Sequence, residues 1–235
     1  MRDKADYVRR MFGAIARRYD FLNSLLSLRR DRAWRKFTVQ VSGVAPTSRI
    51  LDVCTGTGEL ALAYAECNAL QSPVIGTDFC YDMLLVGKQK VEKRQTARTF
   101  TPIEADTLQL PFADNLFDIV SVGFGIRNVA DVEAGIREMT RVAVRGGRVV
   151  ILEFTQPNLP VFRQLYYLYF KKVLPRVGNF VSKSKDDAYG YLPNSVLAFP
   201  DCVQLTALME KCGLRDVRFY RKTLGIVAIH VGTKG

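Results

Sequence analysis

Residues 50–60 read ILDVCTGTGEL. An apolar run from Ile50 reaches Asp52 and Val53, and Gly56 and Gly58 follow within a few residues. Then comes Leu60-Ala61-Leu62-Ala63-Tyr64-Ala65, a good helix former. The order is strand, glycine turn, helix. Gly56 and Gly58 carry no Cβ, so a ligand can approach their backbone. Free N–H groups face it at the helix start. The dinucleotide fingerprint G-x-G-x-x-G has Ala61 at its third glycine, which is a permitted variant. However, Asp52 and Glu59 flank the turn with negative charge, which suits a cationic ligand better than a pyrophosphate. A strand–helix turn without any ligand is the bland alternative.

Further along, Val74-Ile75-Gly76-Thr77 reads as a second strand ending at Asp78, 20 residues after Gly58. In an open α/β sheet an acid at this place reaches the ribose hydroxyls of an adenosine cofactor. A carboxylate accepts both hydroxyl protons. Capping the helix expected over 81–93 is the competing role for Asp78. A third strand falls near 100–103, and Asp106 beyond it is a candidate acceptor for an adenine amino group or a plain surface-loop acid. A fourth strand over 117–122 ends in Gly123-Phe124-Gly125-Ile126-Arg127-Asn128. Ligands of such sheets sit beyond the carboxyl ends of the strands, so Arg127 and Asn128 point to the site. A structural ion pair is the alternative for Arg127. Asp131 caps a helix carrying Val132, Ile136, Met139 and Val142 at helical spacing. Gly146-Gly147 is expected to end it, with a fully buried strand over 148–154. Two last strands, within 217–220 and 226–231, are close enough to pair antiparallel. The fold class is α/β: a mostly parallel sheet with an antiparallel last strand and helices on both faces.

The flanks differ from this centre. Residues 1–50 hold 12 Lys and Arg against 4 Asp and Glu, while residues 51–150 hold 10 against 13. Residues 151–235 return to 12 against 6, within a net charge of +11. Basic flanks around an acidic centre suggest a polyanionic partner, nucleic acid or an anionic membrane surface, unless they are simply solvated charge. Residues 1–45 read as a basic helical cap, with helices near 5–18 and 31–43 and the only tryptophan, Trp34. Residues 46–235 form the main domain. Its insertion at about 155–200 carries a dense aromatic helix over 162–170 and a polar, mobile loop over 183–191. The aromatic helix reads equally as an apolar wall for a bulky substrate or as core. The five cysteines form no C-x-x-C pair and read as free thiols, no metal is expected, and His230 falls in a core or edge strand. No secretory signal or bilayer-spanning run is visible.

YDFLNSLLSL, LDVCTGTGEL, LPFADNLFD, GFGIRNVAD, GGRVVILEF, YGYLPNSVLAFP and the closing TLGIVAIHVGTKG run over nearly the whole chain. Together they resemble the menaquinone and ubiquinone biosynthesis C-methyltransferases, a family with the Rossmann-like fold of class I methyltransferases. FGIRN and the closing G-I-V-A-I-H-x-G are the most specific. The resemblance implies S-adenosylmethionine as methyl donor and a polyprenylated quinol as acceptor. It implies cofactor contacts at Thr57, Asp78, Asp106 and Thr107, alongside Asp52, Gly56 and Gly58. Relatives often have Ser where this chain has Gly123, so a hydroxyl contact to the cofactor is missing or replaced. They often have Asn or Ser at Cys80, so the helix cap there should be weaker.

Carbon methylation needs an electron-rich ring, hence a quinol losing one phenolic proton. Arg127 is the candidate to stabilise the phenolate, since a guanidinium cannot easily take the proton itself. Asn128 is the candidate to orient a water or the second hydroxyl, and Tyr19 to close over the ring. A relaying water would pass the proton to Asp106 or solvent. Demethylmenaquinol is the preferred acceptor; a methoxy-benzoquinol of ubiquinone synthesis, or both, is the alternative. A lipid-tailed substrate and basic flanks imply cytoplasmic, peripheral attachment to the membrane. A homo-oligomer is left open. An RNA methyltransferase is the rival from another class, but no RNA-binding module is visible and nucleic acid is not the expected partner. A non-catalytic subunit keeping the cofactor fold is a third reading, opposed by the intact LDVCTGTGE and Asp78.

Overall fold

The computed structural model describes residues 2–66, 71–93, 100–157, 164 and 188–235. Helices α1 (Arg2–Leu26) and α2 (Arg30–Ser42) precede β1 (Ile50–Val53), α3 (Glu59–Ala65), β2 (Val74–Asp78), α4 (Tyr81–Lys93) and β3 (Phe100–Glu104). Next come β4 (Phe117–Gly123), a 3-10 turn (Ile126–Asn128), α5 (Val132–Val142) and β5 (Ala143–Phe154). Helices α6 (Ala188–Ala198) and α7 (Cys202–Lys211) and strands β6 (Leu214–Lys222) and β7 (Val227–Lys234) finish the chain.

The seven strands lie in the order β3-β2-β1-β4-β5-β7-β6. Neighbours from β3 through β5 run parallel, and β7 is antiparallel to both β5 and β6. The antiparallel strand is therefore interior and β6 forms the edge. β1 is buried along its whole length, as is Val149–Glu153 in β5, because helices cover both faces of the sheet. One core layer packs Ile136, Met139 and Met209 against Val120, Val122 and Ile151. The other packs Trp34, Leu62 and Tyr64 against Ile50, Val150 and Ile229. Local signals match: Asp131 accepts the Ala134 N–H at 3.0 Å, and Asp201 forms a capping box with Gln204.

Three expectations are corrected. α1 does not stop near residue 18 but continues to Leu26, since no glycine or proline interrupts 14–26. Gly146-Gly147 do not end α5. The helix ends at Val142, and the glycines lie within β5, where Gly146 has φ +75° and a Cβ on Gly147 would stand 2.8 Å from the Val144 carbonyl. The register against β4 shifts between Phe117 and Ile119 at this irregularity. Finally, Ala188–Tyr191 are not loop but the first turn of α6. The aromatic segment 162–170 (Gln164 apart), the loop residues 183–187 and Cys67 lie outside the described residues. His230 is buried in β7 with Nε2 3.1 Å from the Cys202 carbonyl.

Ile136 is fully buried between α5 and the sheet. Ile136→Ala should lower unfolding free energy by about 2–5 kcal/mol. Val203→Ala, on the exposed face of α7, should change it by less than about 0.5 kcal/mol, both read from urea denaturation.

Candidate functional site

β1, β2 and β4 end side by side, and the turns beyond them enclose a cavity of ≈ 950 Å³, solvent-facing mouth included. Cys54 (φ +48°) and Gly56 (φ +57°) shape its floor. Asp52, Thr57, Asp78, Asp106, Thr107, Gly123, Asn128 and Tyr19 all line it, with apolar Phe79, Met83 and Leu108. α1 is the roof: Ala5, Phe12 and Tyr19, seven residues apart, present one helical face to it.

Two carboxylates are buried at this cavity. Asp52 accepts from Thr55 Oγ1 at 2.7 Å and, across the β1–β4 pairing, from Ser121 Oγ at 2.8 Å. Burial pushes its carboxyl up to about 7 despite those bonds. Asp78 accepts from the Gly56 N–H at 2.8 Å and the Cys80 N–H at 2.9 Å. Burial pushes it up to about 6. It thus stiffens the glycine turn and caps the entry to α4 from two residues upstream, while still facing the cavity. Asp106 is exposed, and its Oδ1 accepts the Leu108 N–H at 2.9 Å.

Gly58 is not among the lining residues. It stands at the N-cap of α3 with φ +79°, and a Cβ there would lie 3.0 Å from the Phe100 ring. Its glycine serves close packing and a left-handed turn. The Thr57 hydroxyl donates at 2.6 Å to Asp20 of α1. Lys90 pairs with Asp20, with Glu59 at 2.8 Å and with the Thr57 carbonyl at 3.0 Å. At the other end of α1, Lys4 donates to the Val129 carbonyl at 2.8 Å. α1 is therefore pinned to the rim at both ends.

Arg127 departs most from expectation. It does not line the cavity; its guanidinium forms a buried ion pair with Glu153 of β5 at 2.8 Å. Nη1 also donates to the Phe124 carbonyl, Nε to Ser195 Oγ of α6 at 3.3 Å, and the group lies over the Phe154 ring. The cause is burial, since a charge without water takes a charged partner. Its field still reaches two phenols. Burial raises the Tyr19 and Tyr191 hydroxyls above their ordinary range, and Arg127 opposes the rise at both. Next to it, Asn128 Oδ1 is buried with no hydrogen-bond partner among the described residues.

Asp20, Lys90, Glu153, Ser195 and Tyr191 were not among the sequence candidates. Glu153 follows the pattern of Asp52 and Asp78, an acid near the end of a buried strand. Tyr191 and Ser195 lie inside YGYLPNSVLAFP. Asp20 lies inside YDFLNSLLSL, and Lys90 left no such signal.

A mostly parallel sheet with its cavity at the switch between β1 and β4 is the architecture that class I methyltransferases share. Solved structures of that architecture align well. A Thermotoga maritima SAM-dependent methyltransferase, described as a possible histamine N-methyltransferase, superposes with TM-score 0.68 at 17% identity, covering 96% of this chain and 99% of that one. An Aquifex aeolicus SAM-dependent methyltransferase gives TM-score 0.60 at 16% identity, covering 85% and 88%. The [4+2]-cyclase SpnF gives 0.66 at 16%, covering 87% and 81%, so the fold alone does not choose the chemistry. The family is settled by sequence: the ubiE/COQ5 methyltransferase family model matches residues 1–234, and the chain belongs to that family. The ubiquinone/menaquinone biosynthesis C-methyltransferase UbiE of Geobacter sp. (strain M21) is 45% identical over 232 residues, 99% of this chain and 98% of that protein. The demethylmenaquinone methyltransferase of Bacillus cereus (strain ATCC 10987 / NRS 248) is 42% identical over 231 residues, 98% and 97% of the two chains. The chain is a methyltransferase.

Glu153→Gln should leave the Arg127 charge buried and unbalanced and lower stability by about 3–5 kcal/mol. Replacing both partners, Arg127→Met with Glu153→Leu, should recover most of that loss in urea denaturation.

Proposed function

We propose that the protein methylates a ring carbon of a polyprenylated quinol, with demethylmenaquinol preferred and S-adenosylmethionine as donor. The observation that carries it is the joining of two halves at one cavity. One half is the buried acidic cradle of Asp52 and Asp78, and the other is Asn128 Oδ1 together with Tyr19, whose phenol feels the Arg127 charge. The quinone-biosynthesis names of the relatives above support the acceptor. A methoxy-benzoquinol is the second reading, since the UbiE-named relatives carry both pathways in their names.

The cradle fits the donor. Two carboxylates held above their usual range by burial gain from a cation placed between them. Asp78 is set to take the ribose hydroxyls, Asp106 and Thr107 the adenine edge, and Phe79, Met83 and Leu108 supply the apolar walls. Gly123 brings no hydroxyl of its own to the cavity, and a Cβ there would stand 3.1 Å from Leu60. Bound there, S-adenosylmethionine supplies an electrophilic methyl on its sulfonium.

The chain's own task is to make the accepting carbon electron-rich and hold it in place. Asn128 Oδ1 accepts from one quinol hydroxyl and fixes the ring. The Arg127 charge, locked by Glu153, lowers the cost of the phenolate as the other proton leaves. Tyr19 covers the ring from α1 and donates its hydroxyl toward developing negative charge. The phenolic proton departs through water toward Asp106, which is exposed, and once the ring carbon carries the methyl group its own hydrogen returns through water to the ring oxygen and restores the quinol. Positioning of this kind is worth up to about 7–11 kcal/mol in the best cases.

Purified protein with labelled S-adenosylmethionine should transfer label to reduced demethylmenaquinone faster than to the oxidised quinone, and not to bulk RNA. Label in RNA alone would overturn the proposal. Arg127→Lys, which loses the planar fork, should lower kcat by about 100-fold or more while calorimetric affinity for the cofactor stays unchanged.

Cofactor affinity should also depend on pH. Carboxylates lose their charge as pH falls through their pKa. The affinity for cationic S-adenosylmethionine should therefore begin to fall below about pH 7, with Asp52, and fall further below about pH 6, with Asp78. The uncharged-sulfur product S-adenosylhomocysteine should weaken mainly below about pH 6, where Asp78 is protonated. Calorimetric titration of both ligands across this range checks the order.

A further inference from the structure

We propose that the outer face of α1, with the turn after it, docks on an anionic lipid bilayer. Opposite the cavity-lining Ala5, Phe12 and Tyr19, the helix turns Ala14, Arg17, Phe21 and Leu25 to solvent at spacings of three and four. Phe21 is 63% exposed, Leu25 45% and Leu28, in the turn, 82%. Leu28 and Arg29 are consecutive non-glycine residues at positive φ, +51° and +61°. A left-handed leucine is uncommon, and here the strained turn holds an apolar side chain out in water.

The charge around this apolar tip names the occupant. Arg17, Arg29, Arg30 and Arg32 are all exposed. The only acids in residues 14–33 are Asp20 and Asp31. Asp20 turns inward to Thr57 and Lys90, and Asp31 pairs with Arg35 and accepts from Ser27. Within residues 14–33 the outward surface thus shows arginine and large apolar groups, and neither carboxylate of that segment faces out; Asp6, exposed three turns earlier on the same face, has the exposed Arg9 and Arg10 as its helical neighbours. That combination binds an interface whose surface is anionic and whose interior is hydrocarbon. Among the described residues no helix is long and apolar enough to cross a membrane, so attachment would lie on the surface. Its purpose rests on the quinol reading: a lipid-tailed substrate would reach the cavity on one face of the helix while the other face rests on the bilayer.

Flotation with phosphatidylcholine vesicles, with and without phosphatidylglycerol, tests the surface in the absence of any substrate. The protein should float with the anionic vesicles, release at high salt, and stay in solution with the neutral ones. Phe21→Ser with Leu25→Ser and Leu28→Ser should lower the partition coefficient by more than about tenfold. Arg29→Gln with Arg30→Gln, which leaves the apolar tip intact, should lower it about fivefold per arginine. Both variants should methylate a detergent-dispersed quinol at the unaltered rate, which also shows that they fold. No flotation, equal flotation with neutral vesicles, or full retention by both variants would overturn the proposal; retention with capture of a protein partner instead would assign the face to that partner. Because vesicle binding is read without turnover, a failure here leaves the quinol reading standing, and the reverse also holds.

Discussion

The placement of β1 between β2 and β4 governs everything else in this molecule. Parallel strands need crossovers, and the chain crosses to one side for β2 and to the other for β4. A crevice opens where those crossovers part, at the carboxyl ends of the strands. Asp52 and Ser121 meet across the β1–β4 pairing and brace that crevice. Asp78 draws the glycine turn onto the end of β2. The buried carboxylates therefore hold the turn in shape and charge the site at once. Their raised proton affinities are the consequence of putting polar groups where the sheet is driest.

Onto this frame the chain lays its own N-terminus. α1 rests on the rim through Lys4 at one end and Asp20 at the other, and both contacts land on backbone or side chains of the cavity wall. The same helix closes the cavity and faces outward with arginine, phenylalanine and leucine. Turning Asp20 and Asp31 inward serves both faces, because it supplies the inner latch and removes negative charge from the outer surface.

Much of this was legible in the sequence wherever one residue decides a local geometry. Gly56 and its neighbours marked the turn, Asp78 the second strand end, and Asp131 the start of its helix. Periodicity in Val132–Val142 and the unbroken run Val149–Leu152 separated helix from buried strand. Legibility failed where the deciding partner is remote. Gly146-Gly147 read as a helix stop because their φ was unknown, yet they fall at the irregularity of β5, between the β4 pairing at Ala143 and the pairing with β4 and β7 that starts at Arg148. Asp20 and Thr57 are 37 residues apart, and Arg127 and Glu153 are 26 apart. No local pattern announces that a charge in one loop will meet an acid on the neighbouring strand.

That last pairing changes what Arg127 can do. A guanidinium waiting free in the cavity would be mobile and would have to reorganise when charge develops. Held by Glu153, the Phe124 carbonyl and Ser195, it is fixed before any substrate arrives. Part of its charge is neutralised by Glu153, so its pull on a phenolate is weaker than that of a bare cation. In exchange it is oriented, and in a dry site preorganised dipoles need no rearrangement during the reaction. The group is therefore held as one half of an ion pair, not as a lone cation. With its donors spent on Glu153, the Phe124 carbonyl and Ser195, the arginine does not reach the side-chain Oδ1 of adjacent Asn128, which stays buried with no hydrogen-bond partner among the described residues.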